Sequence, residues 1–229
     1  MGSQLPTEGE LCATMGVSRT ILREAVKTLV AKGMLVTGPR IGTHTRPPAD
    51  WNLLDPDVIG WRLAAGVDQA FVRDILELRL AIEPEAAKLA AQRADAADIA
   101  AIRLAYQGMV DAVNIGGGGY LEADLTFHEA ILAATHNQFF VALTPAVDAL
   151  LRVSFQFSVK SRESARSSLP LHADVVEAIA AHQPDMAEKA IRTLIAAARH
   201  DVETDMARDD FLFVTGDRPF VAGDRHAAA

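Results

Sequence analysis

Between Asp55 and the residues near 206, apolar side chains recur every three to four positions, the spacing of a helix with one buried face. The pattern predicts helices over 56–65, behind Asp55–Pro56, then over 68–93, 95–114, 120–135, 138–160, 168–182 and 184–206. Gly116–Gly119 is a four-glycine break without the flanking residues of a phosphate loop. Antiparallel helices joined by such short connections form a bundle. Residues 207–229 lose the period and read as a loose tail, in which Phe211, Leu212 and Phe213 are the residues able to dock.

The first 48 residues have a different rhythm. Thr7 with Glu10 three positions later is a capping box for a short helix that Gly16 stops. Ser18 caps a second helix from Arg19 to about Lys32, with Ile21, Leu22, Ala25, Val26, Leu29 and Val30 as its apolar stripe, and Gly33 ends it. Met34–Leu35–Val36, a Gly38–Gly42 turn and Thr43–His44–Thr45 then read as a β-hairpin. Helix, turn, helix and hairpin make a winged helix-turn-helix. Arg46–Asp50, with Pro47–Pro48, reads as a linker. The expected fold is therefore mainly α: a winged helix-turn-helix over 1–48, an all-α antiparallel bundle over 49–206 and a tail over 207–229.

Charge sharpens this division. The chain carries a net charge of −8, yet residues 1–48 hold six basic residues against three acidic ones. A basic head on an acidic body points to a DNA-binding head and a regulatory or oligomeric body. The only cysteine of the 229 residues is Cys12, which excludes an internal disulfide. No apolar run is long enough to span a bilayer, and the N-terminus lacks the pattern of a signal peptide. The expected setting is cytoplasmic, with no membrane partner.

In the second helix of the head, Arg19 and Arg23 lie one turn apart, placed to reach base edges in the major groove, and Ser18 and Thr20 can donate to phosphates. In the wing, Gly42 permits close backbone approach, and Arg40 or His44 can enter the minor groove. The bland alternative is a solvated charged helix face. In the body, Asp124 and His128 are four residues apart and share one helix face. Such a pair grips a metal ion if a third ligand arrives from another helix; otherwise it is a hydrogen-bonded surface pair. Arg79 on the long helix either holds a ligand carboxylate or pairs with Glu83, one turn on. Arg152 can point inward, and Ser158 and Ser168 can hydrogen-bond ligand hydroxyls. His136, His182, His200 and His226 read as surface or capping residues, and Trp51 and Trp61 as packing residues.

Leu5–Pro6–Thr7–Glu8, Val17–Ser18–Arg19–Thr20, Arg23–Glu24–Ala25 and the glycine-bearing wing resemble the GntR family of bacterial transcription regulators. Glu77–Leu78–Arg79 with Glu83–Pro84, Glu122–Ala123–Asp124 with His128–Glu129–Ala130, and His172 with Ala178–Ile179 resemble the FadR-type effector domain, the FCD bundle. Trp51 to Val58, and Ile195–Ala196 after Leu194, look most like regulators of sugar-acid catabolism, the galactonate-operon repressor type. The resemblance implies a dimeric repressor on a short palindromic operator. It also implies a divalent metal (zinc, nickel or manganese) held by Asp124, His128 and His172, with Arg79 near a small carboxylate effector, expected to be a sugar acid. The family often places a further histidine 22 residues after the one matching His172; Leu194 stands there, so an open three-ligand site is expected. His200, on another face of the same helix, is a poor substitute. The family also begins with a helix ahead of the Leu5 segment, which a head starting at Met1–Gly2–Ser3–Gln4 is expected to lack. Two rival readings remain: a metal-dependent hydrolase or lyase acting on a sugar acid, for which no nucleophile–base arrangement is evident, and a purely structural metal.

Overall fold

The computed structural model describes residues 2–66, 68–116, 118–158 and 162–207, without the side chains of Phe157, Ser158, Arg162 and residues 205–207. The tail expected from 207 onward thus falls almost wholly outside the described residues. Chain contacts divide the protein into two units, residues 1–61 and 62–229.

In the first unit, α1 (Glu8–Met15) starts at the expected capping box: Thr7 accepts from the Glu10 amide, and the Glu10 carboxylate accepts from the Thr7 amide. Gly16 ends it with φ 66°, a left-handed conformation that costs glycine little. Ser18 caps α2 (Arg19–Ala31) by accepting from the Ile21 amide. The wing is an antiparallel pair, β1 (Leu35–Gly38) and β2 (Gly42–Thr45), with Leu35 opposite Thr45. Residues 3–5 lie along the outer edge of β2, where the Leu5 amide donates to Thr43 and the Thr45 amide donates to Ser3. The sequence pattern gave no sign of this third rung, because it rests on backbone groups alone.

The first unit runs past the Pro47–Pro48 linker because residues 46–61 fold back on the end of α2. The Asn52 amide donates to the Lys32 carbonyl, and Trp51 Nε1 donates to the Arg46 carbonyl. The Lys32 ammonium meets Asp55 at 2.6 Å and Asp57 at 2.8 Å, with the Trp61 ring 5.6 Å away. Asp55 also accepts from the amides of Asp57 and Val58, capping α3 (Pro56–Ala64). Burial pushes the Asp55 carboxyl up, but the Lys32 ammonium and these amides outweigh it, and the carboxyl lies below its ordinary range.

Lys32 is 14% exposed and Asp55 19%, so Lys32→Met leaves the Asp55 carboxylate short of a partner in poorly hydrated surroundings. We expect a loss of about 1–3 kcal/mol at neutral pH, read from urea unfolding. A carboxyl whose folded pKa is lowered stabilises above its unfolded pKa and loses that contribution as pH falls. The gap between native and variant should therefore close below about pH 4.

The second unit is built from α4 (Gln69–Arg93), α5 (Ala96–Ile115), α6 (Tyr120–Ala134), α7 (Gln138–Ala142), α8 (Thr144–Ser158), α9 (Arg162–Ala180) and α10 (Pro184–Ala207). Its core joins Ala86, Ala87, Ala90 and Ala91 of α4 to Phe127 and Leu132 of α6, Val175 and Ile179 of α9, and Ile191 and Ile195 of α10. The alanine stripe lets α10 approach α4 closely. Pro84 sits inside α4 and has no N–H for the Leu80 carbonyl. Arg192 of α10 donates to that carbonyl at 3.4 Å instead.

Two expected boundaries move. The single helix over 138–160 is two: α7 stops at Ala142 and α8 begins at Thr144, with Pro145 in its first turn, where the missing N–H has no helical partner to lose. The helix expected from 168 begins at Arg162 and runs through Pro170. The Ser168 hydroxyl donates back to the Ala165 carbonyl, within the helix.

Candidate functional site

Five helices meet in the middle of the second unit, α8 through Leu151, Ser154 and Phe155. On α4, Arg79 and Glu83 are one turn apart. On α6, Tyr120, Asp124 and His128 follow at intervals of four. On α9, Ser164, Ser167, Ser168, Leu171 and His172 form one stripe with the spacing of a helix face. On α10, Leu194, Ala197, Ala198 and Asp201 do the same. These stripes line a cavity of about 270 Å³.

Asp124, His128 and His172 meet at its buried end, as expected from the sequence. Each is under 9% exposed, and one ligand atom from each lies within 4.8 Å of the others. His172 Nδ1 faces the Ser168 carbonyl at 2.9 Å, and a carbonyl can only accept, so the proton sits on Nδ1. Its Nε2 then faces Asp124 Oδ1 at 3.0 Å. His128 Nδ1 lies 2.9 Å from Glu83, and its Nε2 faces the same Asp124 oxygen at 3.8 Å. Both imidazoles are thus fixed by acceptors behind them and turn Nε2 toward one carboxylate oxygen. The fully buried Phe127 ring stands edge-on to both, with centroids 5.5 and 5.2 Å away, which limits their rotation.

Glu83 is the residue that sequence reasoning noted only as a salt-bridge alternative. It accepts from Arg79 Nε at 2.5 Å and Nη2 at 3.3 Å as well as from His128. Burial alone would raise its carboxyl; Arg79 and His128 reverse this and hold it at about 2. Burial opposes a charge on His128, but Glu83 and Asp124 raise its pKa. Asp124 is likewise lowered, against burial, by His172 and His128. Histidine nitrogens with backing acceptors, plus one carboxylate, are the donor set of a first-row divalent ion, and a carboxylate behind a ligating histidine is its usual support. The residues present fit such an ion. Leu194 lines the cavity without offering a ligand, which leaves the site open on the α10 side.

The other expected effector residues divide. Arg79 lines the cavity, but two of its nitrogens are engaged by Glu83. Ser168 also lines it, bonded to the Tyr120 hydroxyl. Arg152 does not: its guanidinium pairs with Glu122 at 2.9 Å, and both side chains are well exposed. The Ser158 hydroxyl lies outside the described residues. Tyr120, Ser154, Ser164, Ser167 and Asp201 line the cavity and were not anticipated. The α9 stripe was the available signal, cut short because the helix was expected from 168 rather than 162.

Among the other histidines, His136 and His182 sit just past helix ends with φ 48° and 51°, as the capping reading expects. His136 with Asp95 and Asp98 forms a second cluster that could hold an ion, but there Asp95 and Asp98 form the capping box of α5. His226 lies outside the described residues.

In the first unit, Arg19 and Arg23 project from the start of α2, both well exposed, with Glu8 of α1 lying 3.0 Å from Arg23. Thr20 is exposed beside them, and the Ser18 oxygen is occupied as the cap. At the wing, Arg40 and Gly42 adopt φ 71° and 73°, placing Arg40 at the tip of the turn. His44 is bent back, with Nε2 2.7 Å from the Ile41 carbonyl, so Arg40 is the better placed of the two to leave the wing. No helix among the described residues is long and apolar enough to cross a membrane.

Comparison with known proteins agrees with this architecture. Residues 1–44 match the bacterial regulatory proteins of the gntR family, and residues 74–197 match the FCD domain. The chain is 35% identical over 198 residues to the galactonate operon transcriptional repressor of Escherichia coli K12, covering 86% of each protein. It is 34% identical over 195 residues to the HTH-type transcriptional regulator YieP of the same organism, covering 85% of this chain and 84% of that one. A Streptococcus agalactiae GntR structure superposes with a TM-score of 0.54 at 25% identity, over 87% of this chain and 90% of that one. The chain belongs to the gntR family of bacterial transcription regulators, with an FCD domain as its C-terminal part.

Proposed function

We propose that the protein is a repressor that binds a palindromic operator as a dimer and is released by a small sugar acid. The acid would occupy the cavity of the second unit, beside a divalent ion held by Asp124, His128 and His172. The observation that carries this reading is the convergence of two imidazole Nε2 atoms on one buried carboxylate oxygen, each ring fixed from behind. With each ring carrying its proton on Nδ1, the two Nε2 atoms present lone pairs beside the Asp124 carboxylate, an arrangement that a divalent ion completes. Bound there, the ion supplies a positive centre for a carboxylate and its neighbouring hydroxyl. Arg79, paired with Glu83, lines the same end, and Leu194 leaves room for the ligand to reach it.

The E. coli relative's name, a galactonate operon repressor, supports both the acid and the sign of regulation. Regulation requires that the acid bind the DNA-competent and DNA-incompetent states with different affinity. An enzyme using the same ligands would need a nucleophile or base beside the ion, and Ser168, a cavity-lining hydroxyl on α9, is bonded to Tyr120 and Ala165.

Calorimetry of the zinc-loaded protein against a panel of aldonates and uronates tests the reading. One or more acids should bind and lower affinity for operator DNA. Absence of heat with every acid would leave a structural metal.

For the head, Arg23→Ala is expected to weaken operator binding by about ten- to a hundredfold, the range of one lost bidentate arginine–base contact. Fluorescence anisotropy on specific and scrambled duplexes separates base contact from phosphate contact: loss on the specific duplex alone marks a base-reading arginine, and equal loss on both marks a phosphate contact.

A further inference from the structure

The cavity is chemically lopsided. Ser167 Oγ donates to the Ser164 carbonyl at 2.9 Å, and Ser168 Oγ donates to the Ala165 carbonyl at 2.9 Å. A hydroxyl has one proton, so each of these oxygens can offer a ligand only lone pairs. With the Ser168 proton engaged, the bond between Tyr120 and Ser168 must be donated by Tyr120. The phenol oxygen is then an acceptor too. From α10, Asp201 contributes a carboxylate to the same lining, and its neighbours there, Leu194, Ala197 and Ala198, have no polar side chain. Tyr120, Ser167, Ser168 and Asp201 therefore offer acceptors and a negative charge, in a lining that also holds the Ser154 and Ser164 hydroxyls.

We propose that the cavity binds its acid in one direction and rejects diacids. The carboxylate lies at the end formed by Asp124, His128, His172 and Arg79, and a hydroxyl-bearing tail donates to Tyr120, Ser167, Ser168 and Asp201. This rests on the sugar-acid reading above and adds the discrimination within that class. A polyol tail matches the wall proton for lone pair. A second carboxylate in its place meets the lone pairs of Tyr120, Ser167 and Ser168 and is repelled by Asp201, the kind of repulsive element that separates similar ligands. Asp201 is exposed at the cavity's lining and takes no part in holding the ion, so it can be changed without touching the metal end.

The test is calorimetric titration of the full zinc-loaded chain with galactonate and with galactarate, its six-carbon dicarboxylate counterpart. Native protein should bind galactonate at least tenfold more tightly. Asp201→Lys should reverse or abolish that preference, while Asp201→Asn, which keeps shape and removes charge, should narrow it. Zinc content and the far-UV spectrum should be unchanged in both variants. Equal affinity of the native protein for the two acids would overturn the proposed direction while leaving the sugar-acid reading in place. An unchanged preference in Asp201→Lys would overturn the wall's role. Binding of neither acid would overturn this proposal for the galactonate pair, and the aldonate and uronate panel above then decides the sugar-acid reading separately.

Discussion

A chain carrying Asp124→Ala and His128→Ala together is expected to lose divalent-metal affinity by more than about a hundredfold, since changes one shell further out already cost ten- to a hundredfold. Two of the three groups converging on the site disappear, and His172 alone remains, with Nδ1 held by the Ser168 carbonyl. Metal content after dialysis, measured by plasma mass spectrometry, should fall to background. Operator binding by the metal-free variant should persist and no longer respond to the acid. Full metal content together with a full effector response would show that the ion and the acid bind elsewhere.

Glu83→Ala is expected to be the most destabilising single change in the second unit. Glu83 faces Arg79 and His128 where all three side chains are under 6% exposed. Removing it leaves a buried guanidinium with no counter-charge, and breaking such pairs costs about 3–5 kcal/mol. It also frees His128 Nδ1, so metal affinity should drop by about ten- to a hundredfold in protein that still folds. Arg79→Met with Glu83→Leu separates the two effects. Replacing both partners by apolar side chains of similar size should restore most of the stability, as seen in chemical denaturation. It should not restore metal affinity, because nothing then fixes the His128 ring. If the double variant recovers both, Glu83 acts only as a packing residue.

How much of this was legible in the chain depends on the range of each interaction. Thr7–Glu10, Gly16 and Ser18 act within a few residues, and their caps appear where the sequence placed them. The Asp124–His128 pair was legible for the same reason, being one helical turn. Glu83 as the support of His128 was not, since the contact joins α4 to α6 and depends on how those helices pack. The serine stripe of α9 has the right spacing in the sequence, but Ser164 and Ser167 lie ahead of the start expected at 168, and Pro170 sits in its midst. A proline inside a helix forfeits one hydrogen bond, and packing on the bundle outweighs that loss. Pro145 is the converse case: as a first-turn proline it marked the start of α8 in the chain and was passed over in favour of the apolar period. Arg152 has the position of an inward residue on the sequence, yet Glu122 on α6 holds it at the surface. Asp201 could not be assigned from sequence, because only the packing of α10 brings it to the cavity.

The most direct measurement is an anomalous-difference map from crystals of the full chain grown with zinc, collected on both sides of the zinc edge. The account predicts a peak bonded to Asp124 and to Nε2 of His128 and His172, with Glu83 remaining on His128 Nδ1. No peak there, or a peak only at the Asp95–Asp98–His136 cluster, would contradict it.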